Sequence, residues 1–170
     1  MKNLSNGKQR NGAEMEVRYD SYCGLNCGAC PVGMANERSD EGALSWMASQ
    51  WKQKRQDLTC TGCKTDVTAS FCTECVMRKC AMGKNLDFCF QCGDYPCEII
   101  TNFMEDDAPH HSAVFRNLAG IRSKGLDEWL RNEKQRWACD SCGTRFNWYM
   151  ETCPRCGEEL YNSVKEEADL

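Results

Sequence analysis

The sequence predicts an α+β protein of low regular secondary structure, stapled by metal. The expected parts are an N-terminal multi-zinc lobe, a helical middle and a C-terminal zinc ribbon. Three observations carry this. Fifteen of the 170 residues are cysteine. Most of them fall in Cys-x2-Cys pairs: Cys27/Cys30, Cys60/Cys63, Cys72/Cys75, Cys89/Cys92, Cys139/Cys142 and Cys153/Cys156. Apolar residues recur at helical spacing only in limited stretches outside the densest cysteine segment.

Metal is preferred to disulfide on several grounds. Two thiolates three residues apart on a tight turn can reach one ion, and a disulfide scaffold has no reason to repeat that spacing. The cysteine count is odd, which leaves one thiol without a disulfide partner. Residues 1–20 carry basic side chains but no apolar leader core. No run approaches the roughly 18 apolar residues of a membrane span. The expected location is therefore the cytoplasm, where thiols stay reduced, and no membrane contact is expected. The formal charge is −4. Fifteen thiolates on about four zinc ions would bring it to about −11, which disfavours wholesale nucleic-acid binding through a basic face.

Residues 1–18 are polar and rich in Gly, Asn and Lys, and are expected to be a disordered tail. Residues 19–107 form the expected cysteine-rich multi-metal domain. Within it, Ser39 or Asp40 can cap a helix of about 14 residues. Leu44, Met47, Ala48 and Trp51 recur at helical spacing there, and Trp46 and Trp51 are expected in the core. From Cys60 to Cys97 little periodic apolar pattern exists, so metal must supply the folding energy, roughly 10–16 kcal/mol for each structural zinc. Pro96 starts a short helix ending near Met104.

The helical segment spans 108–136. Pro109 begins a helix with a Val114, Leu118, Ile121 stripe, and Gly125 caps or breaks it. "LDEWLRNEKQRW" reads as the next helix. The ribbon spans 137–161, and "TRFNWYM" between its cysteine pairs suits a strand. Residues 162–170 read as a solvated acidic tail.

The four cysteines Cys139, Cys142, Cys153 and Cys156 are the clearest constellation. A glycine follows each pair and permits the positive-φ residue of a knuckle. Four thiolates close a tetrahedral site with no open position, so the site is structural. In sequence order, Cys60, Cys63, Cys72 and Cys75 form a second set, and Cys80, Cys89, Cys92 and Cys97 a third. Cys23, Cys27 and Cys30 are left needing a fourth ligand. Interleaved partitions are equally compatible with the spacing. His110 or His111, the two histidines of the chain, could complete that site, as could a cysteine from another set. Cys23-x3-Cys27-x2-Cys30-Pro31 also allows an iron–sulfur cluster, since Cys-Pro ends bacterial ferredoxin runs. The rest of the ferredoxin spacing is absent. No strand–helix alternation follows to build the barrel of a radical S-adenosylmethionine enzyme. "CGAC" lacks the βαβ setting of a thioredoxin pair.

"YCGLNCGACPVGMA", "CTGCK", "FCTECVMRKCA", "CFQCGDYPCE", "LAGIRSKGLDEWL" and "WACDSCG…CPRCG" occur in that order. Together they resemble a prokaryotic family of small cysteine-rich proteins classed as a domain of unknown function. Its marks are a CGLxCxxC opening and a YPC closing, often followed by a helical segment and a zinc ribbon. The resemblance runs from 22 to about 157. It implies zinc binding by all the matched cysteines and no assigned activity. Gly33 stands where the family often has an aromatic residue.

The functional expectation is a zinc-binding structural or interaction module for a protein or nucleic acid. The ribbon residues Arg145, Phe146, Trp148, Tyr149 and Arg155 are the cationic-aromatic candidates for nucleic-acid contact. The alternative is an iron–sulfur redox protein or enzyme using Cys23, Cys27 and Cys30. No catalytic residue set and no small-molecule substrate are evident. Soft thiolates also admit Cu(I) storage or sensing, but knuckles spread between helices suit folding sites better.

Overall fold

The computed structural model describes residues 16–170, and about half of these are helical. There are eight α-helices among them: α1 (Pro31–Glu37), α2 (Glu41–Gln50), α3 (Ser70–Thr73), α4 (Val76–Gly83), α5 (Glu98–Met104), α6 (Val114–Lys124), α7 (Leu126–Arg136) and α8 (Ser163–Ala168). Short 3-10 turns punctuate the loops. No β-strand occurs among the described residues; only two isolated bridges do, Ala138 with Arg145 and Thr152 with Glu159.

The expected α+β class and low regular content are thus corrected to an all-helical frame. The ribbon's missing strands have a local cause. The segment expected as a strand spends its backbone groups on other partners. Trp148 N donates to Ala29 O at 3.1 Å, and Trp148 O accepts from Ser163 N at 2.9 Å. With those groups engaged, no ladder can propagate beyond single bridges.

Where helical periodicity was present helices stand, but with corrected bounds. α2 has 10 residues rather than about 14. α5 begins at Glu98 with Pro96 before its cap, and Pro109 opens a 3-10 turn, Pro109–His111, ahead of α6 at Val114. Asp40 caps α2, its carboxylate accepting from Ala43 N at 2.9 Å. Leu44, Met47 and Ala48 are buried beneath it. Trp46 and Trp51 are not core residues: they are 63% and 44% exposed. Trp46 lies two residues, or about 200°, from Leu44 and so faces away. Trp51 sits at the cap beyond the last turn, edge-on to Phe71 with ring centroids 6.2 Å apart. In α6 the Val114, Leu118, Ile121 stripe is buried, and Gly125 at φ +85° turns the chain into α7.

The segment 60–97 contains α3 and α4, which apolar periodicity did not reveal. Both are short, eight residues or fewer, and flanked by cysteines. The turns around the thiols set their start points more than any apolar stripe does. Of the expected tail 1–18, residues 1–15 lie outside the described residues. Arg18 N donates to Thr61 O at 2.8 Å, so the chain is already docked at that point. Residues 162–170 are not simply a solvated tail. Asn162 caps α8, and Glu166 is 4% exposed, accepting from Arg116 Nη2 at 2.7 Å and Arg136 Nε at 3.3 Å.

Three buried clusters form the core. One joins Cys23, Met77, Phe88 and Ile100 to the α6 stripe and Trp129. A second packs Ala29 against Trp137, Phe146, Trp148 and Leu160 of the C-terminal unit. The third lies under α1 and α2. Each contains or adjoins cysteines, so the candidate metal-ligating residues are part of the core.

Candidate metal centres

The C-terminal centre is built by two repeated turns. Cys139 N donates to Thr144 O at 3.0 Å and Gly143 N to Cys139 O at 2.7 Å. Cys153 N donates to Glu158 O at 2.8 Å and Gly157 N to Cys153 O at 2.9 Å. Gly143 and Gly157 have φ of +71° and +76°, a region a side chain would strain. The turns bring Cys139, Cys142, Cys153 and Cys156 together with ligand atoms all within 4.8 Å of one another. Cys139 and Cys156 Sγ are 3.6 Å apart, and Cys142 and Cys153 Sγ 3.5 Å. Thr144 Oγ1 lies 3.2 Å from Cys142 Sγ. Its hydroxyl, with the Thr144 N–H, holds the Cys142 thiol down to about 6. This set can hold a metal ion.

The other eleven cysteines behave differently. Cys23, Cys27, Cys30, Cys60, Cys63, Cys72 and Cys75 line one chamber of about 820 Å³. The ordered partition into separate four-cysteine sets is therefore not what the fold presents. Both members of Cys60/Cys63 and of Cys72/Cys75 share the chamber with the opening triad. Outside the ribbon, no three Cys, His, Asp or Glu ligand atoms among the described residues lie within 4.8 Å of one another.

Burial pushes the thiols of Cys23, Cys27, Cys30, Cys63 and Cys72 up, Cys30 to about 11 and Cys63 to about 12, with Cys27 well above its ordinary value. Neighbouring thiols add to the effect and reveal who faces whom. Cys27 feels Cys63, Cys30 and Cys72; Cys30 feels Cys60; Cys72 feels Cys30, Cys63, Cys60 and Cys75. Cys23 feels Cys75, and Cys63 feels Cys23 and Cys75. Burial likewise raises Cys89 to about 12, with Cys23, Cys80 and Cys97 as the leading neighbours. Cys92 stands apart, accepting from Lys84 Nζ at 3.1 Å.

The chamber's frame depends on residues that motif reading passed over. Arg78 of α4 donates to Cys63 O at 2.9 Å and Thr65 O at 3.3 Å, fixing the Cys60–Thr65 turn. Lys64 Nζ meets Asp20 Oδ2 at 2.8 Å with both side chains 4% exposed, and lies 3.6 Å from the Phe88 ring centroid. A buried pair of this kind needs both partners, because either charge alone is costly. Spacing offers no signal for such long-range pairs.

His110 and His111 also line the chamber. His110 Nδ1 and Tyr149 Oη are 2.6 Å apart, and the ring stacks on Trp148 with centroids 4.0 Å apart. His111 Nδ1 and Asp106 Oδ1 are 2.7 Å apart. Burial, then the neighbouring His111, drives His110 down to about 3, which keeps it neutral. Neither histidine is gathered with three cysteines at single-ion spacing.

The ribbon's cationic-aromatic residues face inward in the main. Phe146 and Trp148 are buried. Arg145 pairs with Glu37 Oε1 at 2.8 Å and donates to Gly28 O at 2.8 Å. Tyr149 and Arg155 remain exposed. All fifteen cysteines are free. No described helix is long and apolar enough to cross a membrane.

Fold and site together define a helical, cysteine-rich protein with a four-thiol cluster fit for a metal ion. Residues 19–102 match the model of DUF3795, a family described as protein of unknown function. That segment contains every chamber cysteine and stops short of the ribbon. No curated protein matches the chain, and no solved structure does.

Proposed function

We propose that the chain is a zinc-stapled metal-thiolate protein. Cys139, Cys142, Cys153 and Cys156 hold one structural zinc, and the chamber thiols form a second metal centre. The single observation behind this is the collapse of four sulfurs to within 4.8 Å. Four thiolates of that kind fill a tetrahedral ion and leave no place for substrate. The ribbon's role is to brace the chamber wall at Ala29 and Gly28, and the assembly works as an interaction module.

A protein partner suits this reading better than a nucleic acid. Arg145, Phe146 and Trp148 are engaged inside the molecule, and bound thiolates make the chain more acidic than its formal −4. Free thiols in this number call for a reducing compartment, so the cytoplasm is the proposed location. Zinc X-ray absorption on the purified full chain tests the staple. The expected first shell is four sulfurs at about 2.3 Å. Oxygen or nitrogen in that shell, or a zinc-free chain with a folded ribbon, would sink the proposal.

A further inference from the structure

The chamber and the ribbon separate their sulfurs on different scales. Four thiolates on one zinc must lie about 3.8 Å apart, since Zn–S bonds of about 2.3 Å point to the corners of a tetrahedron. The ribbon satisfies this, at 3.5 and 3.6 Å for two of its pairs. In the chamber seven thiols face a shared space, yet no three ligand atoms there come within 4.8 Å of one another. Thiols gathered round a void but held apart across it suit a cofactor in which each sulfur meets a different metal atom.

The void itself supports this. A zinc ion between thiolates needs no cavity, whereas about 820 Å³ lies within the roughly 300–1,000 Å³ usual for cofactor and ligand sites. Leu25, Val32, Met77, Phe103 and Trp148 contribute apolar wall, and burial of this kind is one of the levers that set cluster properties. Backbone N–H groups of Val32 and Gly33 are directed at the Cys30 sulfur, a second such lever. Gly33 is needed for that turn: a Cβ there would meet Cys27 O at 2.7 Å.

The neighbour pattern narrows the ligands. Cys60 and Cys72 both neighbour Cys30, and Cys72 also neighbours Cys27, whose leading thiol neighbour is Cys63. The second thiol of each pair, Cys63 and Cys75, neighbours Cys23. We propose that the chamber holds an iron–sulfur cluster ligated by Cys27, Cys30, Cys60 and Cys72. The inference rests on the metal-thiolate reading above and narrows its second centre to one cofactor class. Single zinc ions in the chamber would require its sulfurs to close up to the ribbon's spacing.

The test uses the full chain, purified without oxygen and then incubated with ferrous ion, sulfide and a thiol reductant. Zinc, iron, acid-labile sulfide and the visible spectrum are measured on the wild type, Cys60→Ser and Cys72→Ser. The expected wild type carries one zinc, iron with matching sulfide, and a broad band near roughly 400 nm from thiolate-bound clusters. Each variant is expected to lose most of that band and its iron while keeping the ribbon zinc, which reports that the chain is still folded. A colourless wild type with zinc in the chamber overturns the cluster and leaves the metal-thiolate reading intact. A wild type with no metal beyond the ribbon overturns both. Variants that keep the full band overturn the ligand assignment.

Discussion

The ribbon and the chamber use the same residue type to opposite ends. In the ribbon, two short turns of near-identical hydrogen bonding bring four thiols to single-ion spacing with little help from elsewhere. In the chamber, thiols from three separate pieces of chain face a shared void, and distant residues hold them there. Arg78 pins the Cys60–Thr65 turn, and the buried Lys64–Asp20 pair ties that turn to the segment before Cys23. A centre made from local turns can close around an ion by itself. A centre made from long-range packing can hold its ligands apart, which leaves room for something larger than an ion.

The most severe way to break this contrast is Cys142→Ser. Losing a structural zinc removes roughly 10 kcal/mol or more of apparent binding energy. Residues 137–161 should lose their ordered near-ultraviolet signal from Trp137 and Trp148. Because Trp148 N bonds Ala29 O and Arg145 reaches Gly28 O, the damage should extend to the chamber wall as faster loss of its metal. Chamber metal that is retained as in the wild type would show two independent units instead.

Gly62→Ala should act in the other direction, on the chamber first. Gly62 sits inside Cys60-x2-Cys63 at φ +137°, where an added Cβ would lie 2.2 Å from Arg18 O. Neither the turn nor that backbone can yield cheaply, so a loss of about 2–3 kcal/mol in denaturant unfolding is expected. Ribbon zinc should survive. Its loss in the same step would mean that the ribbon depends on the chamber.

Arg145→Ala is the mildest and probes the joint between the two. Its ion pair with Glu37 is about one-third exposed on each side, so solvent screening keeps that share small. Together with the bond to Gly28 O, a cost of about 1 kcal/mol is expected. Hydrogen exchange should rise around Gly28–Cys30 with both metal centres still filled. Unchanged exchange at those amides would remove the joint from the account.

Legibility followed the same division. The C-terminal four-thiol cluster was readable because both halves repeat one knuckle, and the glycine after each pair marked the positive-φ residue. Its expected strands were not borne out, because Ala29 and Ser163 take the backbone groups a ladder would need. Asp40, the α6 stripe and Gly125 were readable as well, since caps, 3.6-residue periodicity and a positive-φ stop are local signals. Helices α3 and α4 were missed because short helices set between cysteine turns carry no apolar period. Trp46 was misplaced by residue type: a large aromatic suggests burial, but its helical angle turns it outward.

The residues alone determined that the chain would carry its thiols in Cys-x2-Cys pairs, that four of them would meet in the C-terminal unit, and that longer helices would follow Asp40 and flank Gly125. These are properties of a few neighbouring residues. Only the tertiary structure decided that seven other thiols surround one chamber, that His110 and His111 stand on its wall, and that the ribbon's aromatics point inward. Those outcomes depend on contacts between residues dozens of positions apart, such as Asp20 with Lys64 and Gly28 with Arg145. Spacing along a chain carries no record of which distant backbone or charge will be near once the core has closed.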